Sequence, residues 1–216
     1  MSIQTTPNTE LILDAQVNVF SPEYLEHLKN KVLHSPYLSK SSLSYQRFGQ
    51  SVGFQLIATP DTLRAVCQFF PYMKPYLVKA LRADCNVYFI NALLVPQGAE
   101  IKMHLDSSIK KNLCPFCVTV FYVQADAGMQ GGELFLQKRP DQTEPDLLIK
   151  PKENAMITFK GDLFHGVLPM QSDVMRVSLV CEQYQVPLDQ LYQVPALQIP
   201  HKNRLHRLTP DDPLSH

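Results

Sequence analysis

The stretch EIKMHLD, residues 100–106, alternates apolar and polar residues and carries a histidine and a carboxylate two positions apart. In an extended strand, side chains at i and i+2 project to the same face, so His104 and Asp106 would converge while Leu105 packs behind them. Two ligands from one strand make half of a metal site. An ordinary hydrogen-bonded or surface pair has the same spacing, so the rest of the chain must separate the two interpretations.

Short apolar runs of the same kind fill the chain from about residue 86 onward, and turn-forming Pro, Gly and Asp residues separate them. Seven or eight such strands predict a β-sandwich or jelly roll, a fold whose open mouth can hold a ligand. The runs are NVYFINALLV (86–95), EIKMHLD (100–106), CVTVFYVQ (117–124), GELFLQK (132–138), LLIKP (147–151), AMITFK (155–160) and RVSLVCEQY (176–184).

Helical signals lie ahead of these runs. Ser21-Pro22-Glu23 supplies a capping hydroxyl, a proline at the first helical position and an acid near the positive end of the helix dipole. Thr59-Pro60-Asp61 predicts a second helix start after the strand-like stretch 51–58. No stretch of the chain has the composition of a linker, so we predict a single domain over residues 1–216. Its parts are a helical and strand support (1–85), a strand-rich core (86–184) and a proline-rich C-terminal extension (185–216).

The composition limits the classes of partner that we expect the protein to bind. Twenty basic residues balance twenty acidic ones, so no global field attracts nucleic acid or an anionic membrane. No segment approaches the roughly eighteen apolar residues of a spanning helix, and the N-terminus lacks a basic region followed by an apolar one. Five cysteines, mostly isolated in apolar runs, fit a reducing compartment. We therefore expect a cytoplasmic protein with neither nucleic acid nor membrane as partner.

One cysteine pair, Cys114 and Cys117 in CPFC, has the spacing of a zinc knuckle or a redox pair. A zinc site would need a second such pair, and a redox motif would need a βαβ setting. Neither is visible, so the sequence favours two simple thiols at the start of a strand.

Three further polar residues bear on the metal question. His165 is the only other histidine in the strand-rich part. Arg176 and Ser178 are two positions apart on one strand, hence on one face. An arginine that points into an apolar cavity requires an anion, because an unpaired buried guanidinium is very costly. A small dicarboxylate bound to the metal would meet that need, with the arginine binding its far end through two hydrogen bonds.

In this order, His104-Leu105-Asp106, His165 and Arg176-Val177-Ser178 resemble the HxD…H…RxS signature of Fe(II)- and 2-oxoglutarate-dependent dioxygenases. The stretches GGELFL (131–136) and KGDLFHGVLP (160–169) are similar to the matching segments of the prolyl-hydroxylase-like branch. The resemblance covers roughly residues 86 to 184.

The resemblance implies an α+β, mainly β fold: a double-stranded β-helix, or jelly roll, as catalytic core, with the N-terminal helices packed on it. It implies that His104, Asp106 and His165 are the catalytic iron ligands. It also implies Fe(II), 2-oxoglutarate and O2 as cofactor and cosubstrates, with Arg176 and Ser178 holding the distal carboxylate of 2-oxoglutarate.

Three departures from the family pattern refine this expectation. Many members bind the cosubstrate through a tyrosine on the strand before HxD, and Tyr88 and Asn91 are the candidates for that role here. Glu182 stands where the nucleic-acid demethylase branch has a second arginine, which disfavours base repair. Halogenating relatives lack the carboxylate, so Asp106 favours hydroxylation.

Two other classes of protein are alternatives to a dioxygenase. One is a jelly roll that binds a ligand without catalysing its conversion, and the other is a cupin-like metalloprotein that uses no 2-oxoglutarate. Arg176 with Ser178 favours the dioxygenase, because neither alternative needs a carboxylate clamp. The sequence does not distinguish among small molecules, amino acids and peptides as the substrate. It does not indicate the oligomeric state. Lys110 and Lys111, in the loop SSIKKNL (107–113), could pair with an acidic group of the substrate.

Overall fold

Four α-helices and twelve β-strands form the part of the chain that the computed structural model describes, residues 10–40, 45–110, 112–201 and 204–208. The helices are α1 (Pro22–Leu33), α2 (Tyr45–Phe48), α3 (Leu63–Phe69) and α4 (Lys74–Ala80), with 3-10 turns at Pro60–Thr62, Pro71–Met73 and Leu188–Gln193. The strands are β1 (Ile12–Val17), β2 (Val52–Ala58), β3 (Val87–Val95), β4 (Ile101–His104), β5 (Cys117–Gln124), β6 (Leu134–Gln137), β7 (Leu147–Ile149), β8 (Ala155–Lys160), β9 (Phe164–Val167), β10 (Arg176–Tyr184), β11 (Leu197–His201) and β12 (Arg204–Leu208).

The strands form two antiparallel sheets. The larger sheet has the order β1-β8-β5-β10-β3-β2-β11-β12, and the smaller has the order β4-β9-β6-β7. Neighbours in each sheet are mostly distant in the sequence, as in a jelly roll. β10 lies between β3 and β5 at the centre of the larger sheet, and every residue of β10 has a partner on β3. This central position buries both faces of β10.

Helix α1 begins where the sequence predicts. Ser21 caps it, its hydroxyl accepting a hydrogen bond from the Tyr24 amide, and Pro22 occupies the first turn. Leu25, Leu28 and Val32 form its buried stripe. This stripe packs on the larger sheet together with the apolar residues of α3 and α4. The helices therefore cover one face of that sheet.

The apolar core is divided between the two faces of the larger sheet. On the helix-covered face, β10 contributes Val177, Leu179 and Cys181. The second cluster lies between the two sheets and includes Leu93 of β3 and Leu134 of β6. Because side chains alternate along a strand, Arg176, Ser178 and Glu182 belong to the face that looks into this inter-sheet space. The polar residues of β10 are thus held inside the jelly roll.

The predicted fold class is confirmed: the chain is mainly β, with a jelly-roll core and N-terminal helices packed on it. The described residues contain more strands than the sequence predicts: β1, β9 and the pair β11–β12 are additional. β1 is mostly exposed, and β9 is only four residues long, so neither carries a long apolar run. No helix in the described ranges is long and apolar enough to span a membrane.

The C-terminal extension joins the N-terminal support within one sheet. Leu197 and Gln198 of β11 pair with Ala58 and Ile57 of β2. Neither segment therefore forms a sheet of its own. This shared sheet supports the single-domain organisation, which we retain as a proposal.

Candidate metal and cosubstrate site

The smaller sheet brings two histidines and a carboxylate together. β4 and β9 pair antiparallel, and His104 lies directly opposite His165 in their register. The two imidazole ring centroids are 4.4 Å apart. Asp106 follows the end of β4, and its carboxylate oxygens lie 3.4 Å from His104 Nε2 and 3.3 Å from His165 Nε2. The three side chains can each offer one ligand atom, all within 4.8 Å of one another.

Backbone contacts fix the orientation of both histidine rings. His104 Nδ1 lies 2.7 Å from the carbonyl oxygen of Lys102, and His165 Nδ1 lies 3.0 Å from that of Leu163. A carbonyl oxygen can only accept, so Nδ1 carries the proton in each ring. In the neutral ring, each Nε2 is then the atom with a lone pair for a metal, and it faces Asp106. This is the arrangement in which a ligating histidine donates through its other nitrogen to fix its orientation.

The electrostatics keep Asp106 ionised. Burial alone would raise the pKa of this carboxyl, but His165 and His104 outweigh burial and hold its pKa well below the usual range. Burial lowers the pKa of His104. For His165 burial acts in the same direction, but the carboxylate of Asp106 overcomes it, so the pKa of His165 is raised. The site therefore combines one anionic oxygen ligand with two imidazoles.

This donor set fits Fe(II). Asp106 is buried, and no residue in the described ranges forms a hydrogen bond with its Oδ2 atom. Buried polar atoms are rarely left without a partner, and a bound cation would supply one. Two histidines and one carboxylate with open positions are typical of non-haem Fe(II) oxygenases. Elsewhere in the described residues, no other group of three or more His, Cys, Asp or Glu residues comes close enough to hold a metal.

A second cluster of unsatisfied polar groups surrounds Arg176. The side chain is 1% exposed, and its Nη1 atom donates to the Gly132 carbonyl oxygen at 3.0 Å. Within the described part of the chain, Arg176 Nε, Ser178 Oγ and the Tyr122 hydroxyl lack hydrogen-bond partners, and Arg176 forms no ion pair. A buried guanidinium without a counter-ion is costly, so these groups together fit a bound carboxylate.

Tyr122 is a candidate binding residue that the sequence analysis missed. It pairs with Ser178 in the register between β5 and β10, and the Arg176 guanidinium carbon lies 5.0 Å from its ring centroid. Its neighbours in CVTVFYVQ are almost all apolar and buried, so alternation along β5 gives no sign of its face. Only the register with β10 places it beside Arg176.

The structure separates the two candidates for the additional cosubstrate contact. Asn91 lines the same cavity as His104 and Arg176. Tyr88 lies on the opposite face of β3, in the helix-covered cluster, and its hydroxyl contacts the carbonyl oxygens of Arg82 at 2.9 Å and Cys85 at 2.8 Å. The prediction that Tyr88 reaches the cosubstrate is therefore wrong, because odd and even positions of a strand face opposite sides. Asn91 remains a proposed contact.

The loop lysine and the CPFC motif do not contribute to the cavity. Lys110 Nζ donates to Gln190 Oε1 at 3.3 Å and to Gln193 Oε1 at 2.8 Å, so its ammonium is bound at the C-terminal 3-10 turn. Lys111 lies outside the described residues. Cys114 is exposed and Cys117 is buried, and both are free thiols.

A second carboxyl, that of Glu182, lines the cavity that contains His104, Asp106 and His165. Ser108 Oγ donates to Glu182 Oε1 at 2.6 Å, and the Tyr184 hydroxyl donates to Glu182 Oε2. Burial and the nearby Asp106 carboxylate raise the pKa of Glu182 to about 8. The sequence analysis noted this residue only as a departure from a related branch.

A jelly roll that places a His-Asp-His cluster and an unpaired arginine in one cavity fits a non-haem iron oxygenase with an anionic cosubstrate. The family model of the 2OG-Fe(II) oxygenase superfamily matches residues 87–181, which run from β3 into β10 and contain all three candidate ligands and Arg176. This segment is similar to the superfamily, and together with the His-Asp-His cluster it supports an Fe(II)- and 2-oxoglutarate-dependent dioxygenase.

Solved structures of low sequence identity share the fold. A prolyl-4-hydroxylase from Pseudomonas putida is 18% identical, with a TM-score of 0.53 over 80% of this chain and 92% of that one. A prolyl hydroxylase from Trichoplax adhaerens, in complex with a hypoxia inducible factor peptide fragment, is 16% identical, with a TM-score of 0.52 over 79% and 82%. An oxidoreductase of the 2OG-Fe(II) oxygenase family from Burkholderia pseudomallei is 13% identical, with a TM-score of 0.52 over 78% and 82%. A comparison with curated protein sequences gave no match.

Proposed function

We propose that the chain is a hydroxylase that oxidises an unactivated C–H bond of a small molecule, amino acid or peptide and releases succinate and CO2. One observation carries the proposal: an unpaired, buried Arg176 shares a cavity with the His-Asp-His cluster. A metal site alone would need no second charge of this kind. A cosubstrate with one end on the metal and a carboxylate at the other end needs both.

The three clustered side chains have the role of metal ligands. His104, Asp106 and His165 would hold Fe(II), with the positions of both rings fixed through their Nδ1 contacts to backbone carbonyls. When bound, iron and 2-oxoglutarate supply the oxidising chemistry, by oxidative decarboxylation of the cosubstrate with O2. The protein contributes the geometry, because all three ligand side chains are largely withdrawn from solvent.

The residues around Arg176 have the role of a carboxylate clamp. Its free Nε, the hydroxyl of Ser178 and the hydroxyl of Tyr122 are three donors without partners among the described residues. A carboxylate oxygen accepts such bonds strongly, because the bonds are charge-assisted. Asn91, whose Oδ1 atom has no partner in the described part of the chain, is proposed as a further polar contact in the cavity.

The cavity walls exclude water. The rings of Phe48 and Phe159 flank His104 and His165, at centroid distances of 6.0 and 5.1 Å. The remaining wall is mostly aliphatic, formed among others by Leu93, Val118, Val120, Leu134 and Val180. Inside such a wall, charge interactions are stronger than in water. A reactive oxidant formed there would be kept from bulk solvent.

Peptides are included among the substrates because of the fold comparison. The prolyl hydroxylase from Trichoplax adhaerens was solved with a peptide fragment of hypoxia inducible factor. A cytoplasmic location is proposed as well, since all five cysteines are free thiols. The alternative is a cupin-like metal-binding protein that uses no 2-oxoglutarate. Such a protein would leave the buried Arg176 without a counter-ion.

The test is to measure turnover of the protein with defined pools of candidate substrates. Purified protein is incubated with Fe(II), 2-oxoglutarate and O2, and then with pools of amino acids, metabolites or synthetic peptides, while succinate release is followed. We expect one pool to stimulate succinate release, with a product that has gained one oxygen atom by mass spectrometry. Asp106→Ala is the matched control and should release no succinate above background. The absence of both 2-oxoglutarate binding and succinate release in the parent would refute the proposal.

A further inference from the structure

A carboxylate that the metal and cosubstrate do not require faces the same cavity. Glu182 lies on the interior face of β10, in the same alternation as Arg176 and Ser178, and its side chain is 4% exposed. It lines the cavity together with His104, Asp106 and His165. A buried acidic residue is rarely kept without a partner for its charge.

The partners of Glu182 are neutral. Ser108 Oγ donates at 2.6 Å to one carboxyl oxygen, and the Tyr184 hydroxyl donates to the other. Burial and the Asp106 carboxylate, which raise the pKa of Glu182 to about 8, leave this carboxyl mostly protonated at neutral pH, and a cation beside it would favour the ionised form. No ion pair joins Glu182 to any Lys or Arg among the described residues. Each carboxylate oxygen can accept more than one hydrogen bond, so capacity for another donor remains.

The charges of the loaded site leave Glu182 unmatched. The two positive charges of Fe(II) and the one of Arg176 balance the negative charge of Asp106 and the two of 2-oxoglutarate. The site is then neutral without Glu182. A further anion in a low-dielectric cavity is favourable only when a cation meets it.

The surrounding residues hold the carboxylate in one position. Ser108 belongs to the loop that follows the metal-binding pair, and its amide also donates to the Tyr184 hydroxyl at 3.1 Å. Ile109 and Leu113 of this loop pack against the apolar cluster that contains Tyr184. A group already fixed in its binding geometry loses little entropy when a ligand arrives.

We propose that Glu182 is a specificity residue that binds a cationic nitrogen of the substrate, an ammonium or a guanidinium group, beside the metal. This inference rests on the proposed function, because it assigns a substrate class to that site. It predicts an amine-bearing or guanidine-bearing small molecule, amino acid or peptide side chain. It opposes the acidic substrate group suggested by the loop lysines, since Lys110 is bound to Gln190 and Gln193.

The experiment compares cations with neutral molecules of the same shape. The probes are N-butylguanidinium against N-butylurea, and n-butylammonium against butan-1-ol. Each is titrated into protein loaded with Zn(II) and 2-oxoglutarate, which cannot turn over, and binding is measured by ligand-observed NMR. We expect each cation to bind the parent at least roughly tenfold more tightly than its neutral partner. Glu182→Gln should remove that preference.

Tyr184→Phe is the matched control. It deletes one hydrogen bond to Glu182 but keeps the carboxyl group, which a bound cation would hold ionised, so the preference for cations should persist. If Glu182 only positioned the loop, both variants would change binding of charged and neutral probes alike, which would overturn the inference. Equal affinities in the parent would also overturn it, and that comparison needs no variant, so it stands even if Glu182→Gln does not fold.

Binding of 2-oxoglutarate, measured in the same samples by calorimetry, separates the two proposals. If the parent binds 2-oxoglutarate but shows no preference for cations, only the role of Glu182 is refuted. If the parent does not bind 2-oxoglutarate at all, the proposed function fails, and this inference fails with it.

Discussion

His104 and His165 face each other across the β4–β9 pair, with their ring centroids 4.4 Å apart and both Nε2 atoms directed at Asp106. Because the register of this antiparallel pair shifts between Ile101 and His104, a change in either strand would move one ligand relative to the others. The candidate metal site therefore depends on the closure of the smaller sheet as well as on the ligands themselves.

Removal of any one ligand should sharply weaken iron binding. His104→Ala, Asp106→Ala and His165→Ala each delete one of three candidate protein ligands. The loss should exceed the roughly 10–100-fold effect of deleting an outer hydrogen-bond partner of a ligand. Anaerobic Fe(II) titration with calorimetric detection measures it. His27→Ala, a change at an exposed position of α1, should leave iron binding intact. Tight, stoichiometric iron in the His165 variant would remove that residue from the site.

Asp106→Gly should abolish hydroxylation without introducing halogenation. The change opens a coordination position and removes the anionic ligand, but the surrounding cavity was not shaped for a halide. The measurement is product analysis by mass spectrometry in chloride buffer, with the substrate identified from the pools. Full hydroxylase activity in this variant would refute a ligand role for Asp106, and a chlorinated product would refute the expectation about the cavity.

Arg176→Met should weaken 2-oxoglutarate binding while leaving iron binding unchanged. Breaking one partner of a buried charge pair costs about 3–5 kcal/mol. This corresponds to roughly two to four decades in affinity. Arg176→Lys keeps the charge but loses the planar fork, so its affinity should lie between those of the parent and the methionine variant. The readout is the absorption of the keto acid chelate during anaerobic titration of the Fe(II) protein. Parent-like affinity in the methionine variant would exclude Arg176 from the clamp.

Tyr122→Phe should have a smaller effect at the same clamp. Only one hydroxyl is lost, and hydrogen bonds to charged groups contribute about 1.5–3 kcal/mol. The ring, which packs against the Arg176 guanidinium, is retained. The same titration should therefore show weaker 2-oxoglutarate binding than in the parent but stronger binding than in Arg176→Met. An unchanged affinity would indicate that the Tyr122 hydroxyl does not contact the cosubstrate.

Gly166→Ala should destabilise the protein next to the metal cluster. A Cβ atom there would lie 2.5 Å from the Ile101 carbonyl oxygen and 2.6 Å from Phe135 Cζ. Overpacking of this kind costs about 1–3 kcal/mol, and thermal unfolding would detect it. The control is Gly128→Ala, whose nearest contact would be 3.6 Å from Asp126 Oδ1, so its stability should stay within about 0.5 kcal/mol of the parent. Equal unfolding temperatures for the two variants would contradict the predicted close packing around β9.

The sequence alone determined the jelly-roll class, the convergence of His104 with Asp106, and the shared face of Arg176 and Ser178. The two shared faces follow from the period of two along a strand, and the fold class follows from the number of short apolar runs between turns; both are local properties of the chain. Polar residues within apolar runs make that period visible.

Only the tertiary structure decided which face of each strand meets the cavity. β3 is buried along its whole length, so its apolar residues conceal the alternation, and Tyr88 and Asn91 are equally plausible from the sequence. The helices cover the face of Tyr88, which leaves Asn91 inside the jelly roll. Tyr122 and Glu182 join the site through the register of β10 with its neighbours and through the loop after β4. These contacts are long-range, and the packing that sets them involves the whole core, so no local pattern contains them.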